Sequence, residues 1–166
     1  MRALIIRFED CEGPGILDPI LKESGYGITY HDAFRKDLDL MPGVSQVFDF
    51  FLFMGGSASV YDEKLGNFFQ IYINLIKDIL SFQRKKILGI CLGSQLLAKA
   101  MGGEVKKGDS GSEIGFGTVQ KKDNSNPVFK GTTDSELKTI HFHGDVITIP
   151  PGTNSLLKSS KYEHQM

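Results

Sequence analysis

The chain begins with an apolar run, Ala3 to Phe8 (ALIIRF), interrupted by one charge, a pattern that predicts a buried strand. Pro14 then opens an amphipathic segment, GILDPILKESG, which Gly25 is placed to end, so a helix follows the first strand. Gly27 to His31 (GITYH) predicts a second strand. Phe48 to Met54 (FDFFLFM) predicts a third, aromatic-rich and stopped by Gly55-Gly56. From Lys64 to Phe82 apolar residues recur at helical spacing, and a polar run, Gln83 to Lys86, separates them from a further strand, ILGI. Helical spacing resumes in SQLLAKAMGG. Strands alternating with helices, several of them apolar on both faces, predict an α/β, flavodoxin-like three-layer domain with a mainly parallel central sheet.

Beyond Gly103 the texture changes to short alternating pieces broken by Gly, Pro, Asn and Asp: EVKKGDSGSEIGFGTVQKK, NPVFKG, LKTIHFHGD, VITIPPG and NSLLKSS. These predict strands and turns. No repeat, low-complexity stretch or linker divides the chain, so residues 1–166 are expected to form a single domain. The C-terminal SSKYEHQM is polar and leads into no further element, so the sheet is expected to be unfinished and the domain incomplete at that end.

Length and charge narrow the function. At 166 residues and 40% hydrophobic content the chain can bury one ordinary core. Nineteen basic residues against twenty acidic ones give a net charge of -1, with no basic stripe to track phosphates, so nucleic acid is not an expected partner. The first apolar run meets Glu9 and Asp10 at once, which suits neither a signal peptide nor a membrane span; a cytoplasmic protein with no membrane partner is expected. Cys11 and Cys91 are the only cysteines and are read as reduced thiols. There is no CxxC or HExxH, and His141 and His143 come without a third ligand, so no metal and no cofactor are expected.

Cys91 stands out by position. Gly89-Ile90-Cys91-Leu92-Gly93 has the G-x-nucleophile-x-G spacing of an elbow on a tight strand-to-helix turn. Flanking glycines allow strand and helix to cross closely, and a side chain on such a turn projects from the carboxyl edge of the sheet, where open α/β domains bind ligands. The dipole of the following helix favours a thiolate, and the Leu92 amide would point toward an oxyanion forming beside the sulfur. A strand-end cysteine can also serve as a small hydrophobe. Two neighbours favour the reactive reading. Gln95 is a polar side chain in the first turn of an apolar helix, and the Gly55-Gly56-Ser57 loop frees backbone amides to approach a reacting carbonyl.

GICLGSQLLAKAMGGEV resembles the nucleophile motif of class I glutamine amidotransferases, and FLFMGGSASVYD resembles that family's oxyanion-loop segment. SEIGF and FHGDVITIPPG are similar to later strands of the subgroup that resembles the amidotransferase domain of GMP synthase. The resemblance runs in order along nearly the whole chain. It implies a Cys-His-Glu triad that hydrolyses the glutamine side-chain amide through a thioester and releases ammonia to a synthase partner. By position, Cys91 is then the nucleophile, Leu92 and Gly56 the oxyanion hole, and Gly55 and Gln95 substrate-binding residues. Ser94 stands where many members have histidine. The family's catalytic His and Glu lie in a Q-x-H-x-E segment that follows a stretch like SSKYEHQM, so the resemblance implies that they lie beyond Met166.

His143 is the other candidate. In HFHGD it can be written into a His-Asp relay with Asp145, although the resemblance places HGD near the pocket mouth, and a turn histidine bonded to Asp145 is an equal reading. His31 has no companion in the sequence, and His164 is read as a solvated residue of the C-terminal segment. Two functional readings follow: a cysteine-dependent hydrolase acting on glutamine, or on γ-glutamyl peptides; and a non-catalytic binding or remnant domain, should the chain end at Met166.

Overall fold

A computed structural model of the chain describes residues 1–35 and 40–165. The described residues divide into two compact units, Met1–Met101 and Gly102–Met166.

In the first unit, β1 (Arg2–Arg7), β2 (Gly27–Asp32), β3 (Phe50–Phe53) and β4 (Lys86–Gly89) form a parallel sheet in the order β2-β1-β3-β4. Its helices are α1 (Leu17–Glu23), α2 (Val44–Val47), α3 (Gly66–Leu80) and α4 (Leu92–Ala100). Because strand side chains alternate in direction, each strand feeds two cores. Leu4, Ile6, Phe51 and Phe53 join Phe69, Tyr72 and Ile76 of α3 and Leu96 of α4. Ala3, Ile5 and Leu52 join Leu21 of α1. Helices thus cover both faces, and the α/β reading with its mainly parallel sheet holds in this four-stranded sheet.

Within the first core Tyr72 and His31 meet, ring nitrogen to hydroxyl, at 3.1 Å. Burial pushes the Tyr72 phenol up to about 12 and moves His31 below its usual range, so the pair is held neutral.

The second unit carries two antiparallel sheets. β5 (Val105–Lys107) pairs with β8 (Asp145–Ile147), and β6 (Glu113–Lys121) is flanked by β7 (Glu136–His143) and β9 (Leu157–Lys158). The NPVFKG stretch supplies one of the expected turns, a 3-10 turn at Pro127–Phe129: the Asn126 side chain accepts from the Val128 amide and a proline sits in the first turn. Among the described residues no helix is long and apolar enough to cross a membrane.

Candidate active site

β4 ends in Gly89, and α4 starts one residue after Cys91, so the thiol sits on the turn between them. Cys91 has φ 51° and ψ -113° and is the sole non-glycine with positive φ among the described residues. An L-residue held there costs about 1–3 kcal/mol and persists only where its surroundings enforce it. The enforcement is visible. The Ile90 amide donates to the Phe53 carbonyl at 2.9 Å and the Gly93 amide to the Met54 carbonyl at 3.1 Å, which ties the turn to the end of β3. The Cys91 carbonyl accepts from the Gln95 amide at 3.1 Å and from the Ser94 hydroxyl at 2.7 Å.

The glycines are required by close approach. A Cβ on Gly89 would fall 2.5 Å from the Gly93 carbonyl oxygen, and one on Gly93 would overlap the Phe53 carbonyl. Both flanks of G-x-C-x-G are thus fixed by backbone meeting backbone, as the spacing predicts.

The Gly55-Gly56 loop comes to the same place. A Cβ on Gly55 would lie 3.4 Å from Cys91 Cβ, and one on Gly56 would lie 2.9 Å from Leu92 Cδ2. Cys91, Leu92, Gly55 and Gly56 are therefore neighbours at the carboxyl ends of β3 and β4. Gln95 is buried one turn into α4, and its Oε1 has no hydrogen-bond partner among the described residues. A buried amide oxygen without a donor is costly, and a ligand N–H would satisfy it.

Two carboxylates that no sequence motif marks complete this edge. Glu9 Oε1 accepts from the Ser57 hydroxyl at 2.6 Å and from its amide at 3.2 Å, which pins the glycine loop and lowers the Glu9 pKa. Glu12 reaches further in: a Cβ on Gly55 would fall between it and the cysteine, 2.5 Å from Glu12 Oε2. Burial, then the Glu9 charge, raises the Glu12 pKa. The local sequence, CEGPG, carries no periodic signal that could have identified it.

His143 belongs to the second unit. Its Nδ1 lies 3.2 Å from the Asp145 backbone carbonyl, and its Nε2 lies 3.1 Å from Glu113 Oε2, within ion-pair range but out of line for a hydrogen bond. His141 is buried beside it, its Nδ1 3.7 Å from the same oxygen. Glu113 is a third group beside the two histidines, and only the β6–β7 register reveals it.

A glycine-walled turn that holds a strained cysteine at a helix start has the geometry of a strand-to-helix elbow. The model of the family "Glutamine amidotransferase class-I" matches residues 21–166, and the chain belongs to that family. It is 35% identical over 116 residues to a glutamine-hydrolyzing GMP synthase subunit from Sulfolobus acidocaldarius, a match covering 69% of this chain and 56% of that one. Over 91 residues it is 36% identical to Gamma-glutamyl peptidase 4 of Arabidopsis thaliana, covering 52% of this chain and 36% of the relative. The chain thus spans little more than half the length of the first and about a third of the second. A solved glutamine amidotransferase from Thermotoga maritima superposes with a TM-score of 0.87 at 32% identity, over 99% of this chain and 70% of that one.

Proposed function

We propose that this domain hydrolyses a γ-glutamyl amide, glutamine foremost, with Cys91 as the nucleophile. The observation that carries the reading is the strained backbone of Cys91, because a cysteine with only a packing role has no reason to occupy that conformation. Sγ adds to the amide carbon, and the Leu92 and Gly56 amides face the oxygen on which charge develops. The C–N bond breaks as the leaving nitrogen takes a proton, ammonia departs, and water then hydrolyses the thioester. Gln95 Oε1 offers an acceptor to the bound amino acid, and the Glu12 carboxylate offers an anionic partner for its ammonium group.

Proton transfer falls to a histidine paired with a glutamate, as the family resemblance implies. His31 does not serve, because it is buried against Tyr72. A synthase partner that consumes the ammonia is what this reading calls for, in keeping with the GMP synthase relative. The peptidase relative favours a second reading, in which the same thioester forms from a γ-glutamyl peptide and an amine of that peptide leaves.

A chloroketone analogue of glutamine tests the proposal. It is expected to alkylate Cys91 while leaving the exposed Cys11 unmodified, as read by peptide mass spectrometry. Equal labelling of both thiols, or labelling unchanged by Cys91→Ser, overturns it. Ammonia release from glutamine compared with amine release from a γ-glutamyl dipeptide separates the two substrate readings.

A further inference from the structure

We infer that Glu113, His141 and His143 form a binding site for one divalent transition-metal ion of the zinc type, built on the β6–β7 ribbon and taking no part in the cysteine chemistry. The antiparallel register sets Glu113 opposite His143 and Gly115 opposite His141, so all three donors share one face. Glycine keeps that face open: a Cβ on Gly117 would come within 2.7 Å of His141 Cδ2. Glu113 and His141 are buried and His143 is half-buried.

The distances fit a small ion. Glu113 Oε2 is 3.1 Å from His143 Nε2 and 3.7 Å from His141 Nδ1, and one donor atom from each residue lies within 4.8 Å of the other two. Tetrahedral zinc with bonds of about 2.0–2.1 Å places neighbouring donors about 3.3 Å apart. Rotation of the two imidazoles toward a common centre with Glu113 would close the set around one ion.

The protonation pattern points the same way. His143 Nδ1 faces the Asp145 backbone carbonyl, and donating its hydrogen there leaves the lone pair on Nε2. That nitrogen is buried, has no hydrogen-bond partner, and lies 3.1 Å from a carboxylate oxygen. Two electron-rich atoms so close need positive charge between them. Outer groups hold the carboxylate still: Gln165 Nε2 donates to Glu113 Oε2 at 2.6 Å and to the Ser159 hydroxyl at 3.1 Å. A carbonyl behind the imidazole and an amide behind the carboxylate are the supports that metal ligands use. Two imidazoles and one carboxylate suit zinc rather than magnesium or calcium, which prefer oxygen alone, and three protein ligands leave a position for water or a solute.

The competing occupant of the gap is a proton, which would make His143 an imidazolium paired with Glu113. A titration separates the two. The 166-residue chain carrying Cys11→Ser and Cys91→Ser, so that no thiol competes, is stripped with chelator and titrated with Zn²⁺ against a chromophoric chelator, and with Co²⁺ followed by visible absorption. One ion per chain is expected, with a four-coordinate Co²⁺ spectrum. Affinity should fall at least tenfold in Glu113→Gln, which keeps the side-chain shape, and in His143→Gln, and stay unchanged in His164→Gln. Far-UV circular dichroism establishes that each variant is folded; should a variant unfold, the parent's stoichiometry and Co²⁺ spectrum decide. Absence of saturable Zn²⁺ uptake by the parent overturns the inference, as does uptake unaltered in a folded Glu113→Gln, His143→Gln double variant.

Discussion

The two units use the faces of their sheets differently. In the parallel sheet of Met1–Met101 the strand interiors are closed on both faces: Ile5, Ile6, Phe51, Leu52 and Phe53 are all fully buried. In the β6–β7 ribbon of Gly102–Met166 the large apolar side chains point outward, with Ile114 73%, Phe116 91%, Ile140 67% and Phe142 78% exposed. The other face of that ribbon carries Glu113, His141 and His143, and the unit's buried apolar cluster is confined to Val119, Phe129 and Leu157. The contrast separates two sources of order. Burial of hydrocarbon holds the first unit, while backbone pairing and a buried polar network contribute a larger share in the second.

Phe53→Ala is the severest test of that contrast. Phe53 packs in the core shared with α3 and α4, is fully hidden from water, and its carbonyl also receives the Ile90 amide beneath the cysteine turn. Truncating a buried phenylalanine costs about 3–5 kcal/mol through lost transfer free energy and the cavity left behind. Chemical unfolding followed by circular dichroism should show that loss; the chain has no tryptophan to report by fluorescence. A loss under about 1 kcal/mol would mean that the parallel sheet does not depend on burial in the way its packing implies.

Cys91→Gly probes a smaller effect of opposite sign. Glycine adopts positive φ without the steric cost that cysteine bears, and relief of about 1–3 kcal/mol of strain is set against about 0.5–1 kcal/mol of added chain entropy in the unfolded state. Net stabilisation of about 1 kcal/mol is expected, with loss of labelling by the glutamine analogue. A destabilised variant would show that the conformation at φ 51° is not strained, which removes the main support for a nucleophile at this position.

How much of this was legible in the sequence depended on the range over which each feature is determined. The cysteine turn was legible because its constraint is local: backbone meeting backbone at Gly89 and Gly93 admits no side chain, so the glycines must appear at that spacing. The parallel strands were legible because burial on both faces requires unbroken apolar runs such as FDFFLFM. Glu113 was not legible as a partner of His141 and His143, because the long stretch of chain from Glu113 to His141 is bridged only by the β6–β7 pairing register. Glu12 was hidden for a related reason: its loop approaches the glycine pair after β3 through a tertiary contact that no periodicity announces. The short α2 helix, Val44–Val47, is one turn long and left no pattern to read.

The smallest effect sharpens the comparison most. Phe116 faces Ile140 across the ribbon, and both are open to water, so Phe116→Ser removes only a cross-strand pair worth about 0.2–1 kcal/mol and some strand propensity. The unfolding midpoint should stay nearly where it was, with a change of about 0.5 kcal/mol, the ordinary scale for a surface position. The identical chemical change in β3 would expose a polar group to a dry core and cost several times more. If Phe116→Ser instead costs as much as Phe53→Ala, the outer face of the ribbon is covered in the folded protein in solution, and burial orders the second unit as it does the first. Running the same variant in sedimentation velocity separates the sources of such a cost: loss of a self-associated species places the cover on another copy of the chain, and an unchanged monomer places it within the chain itself.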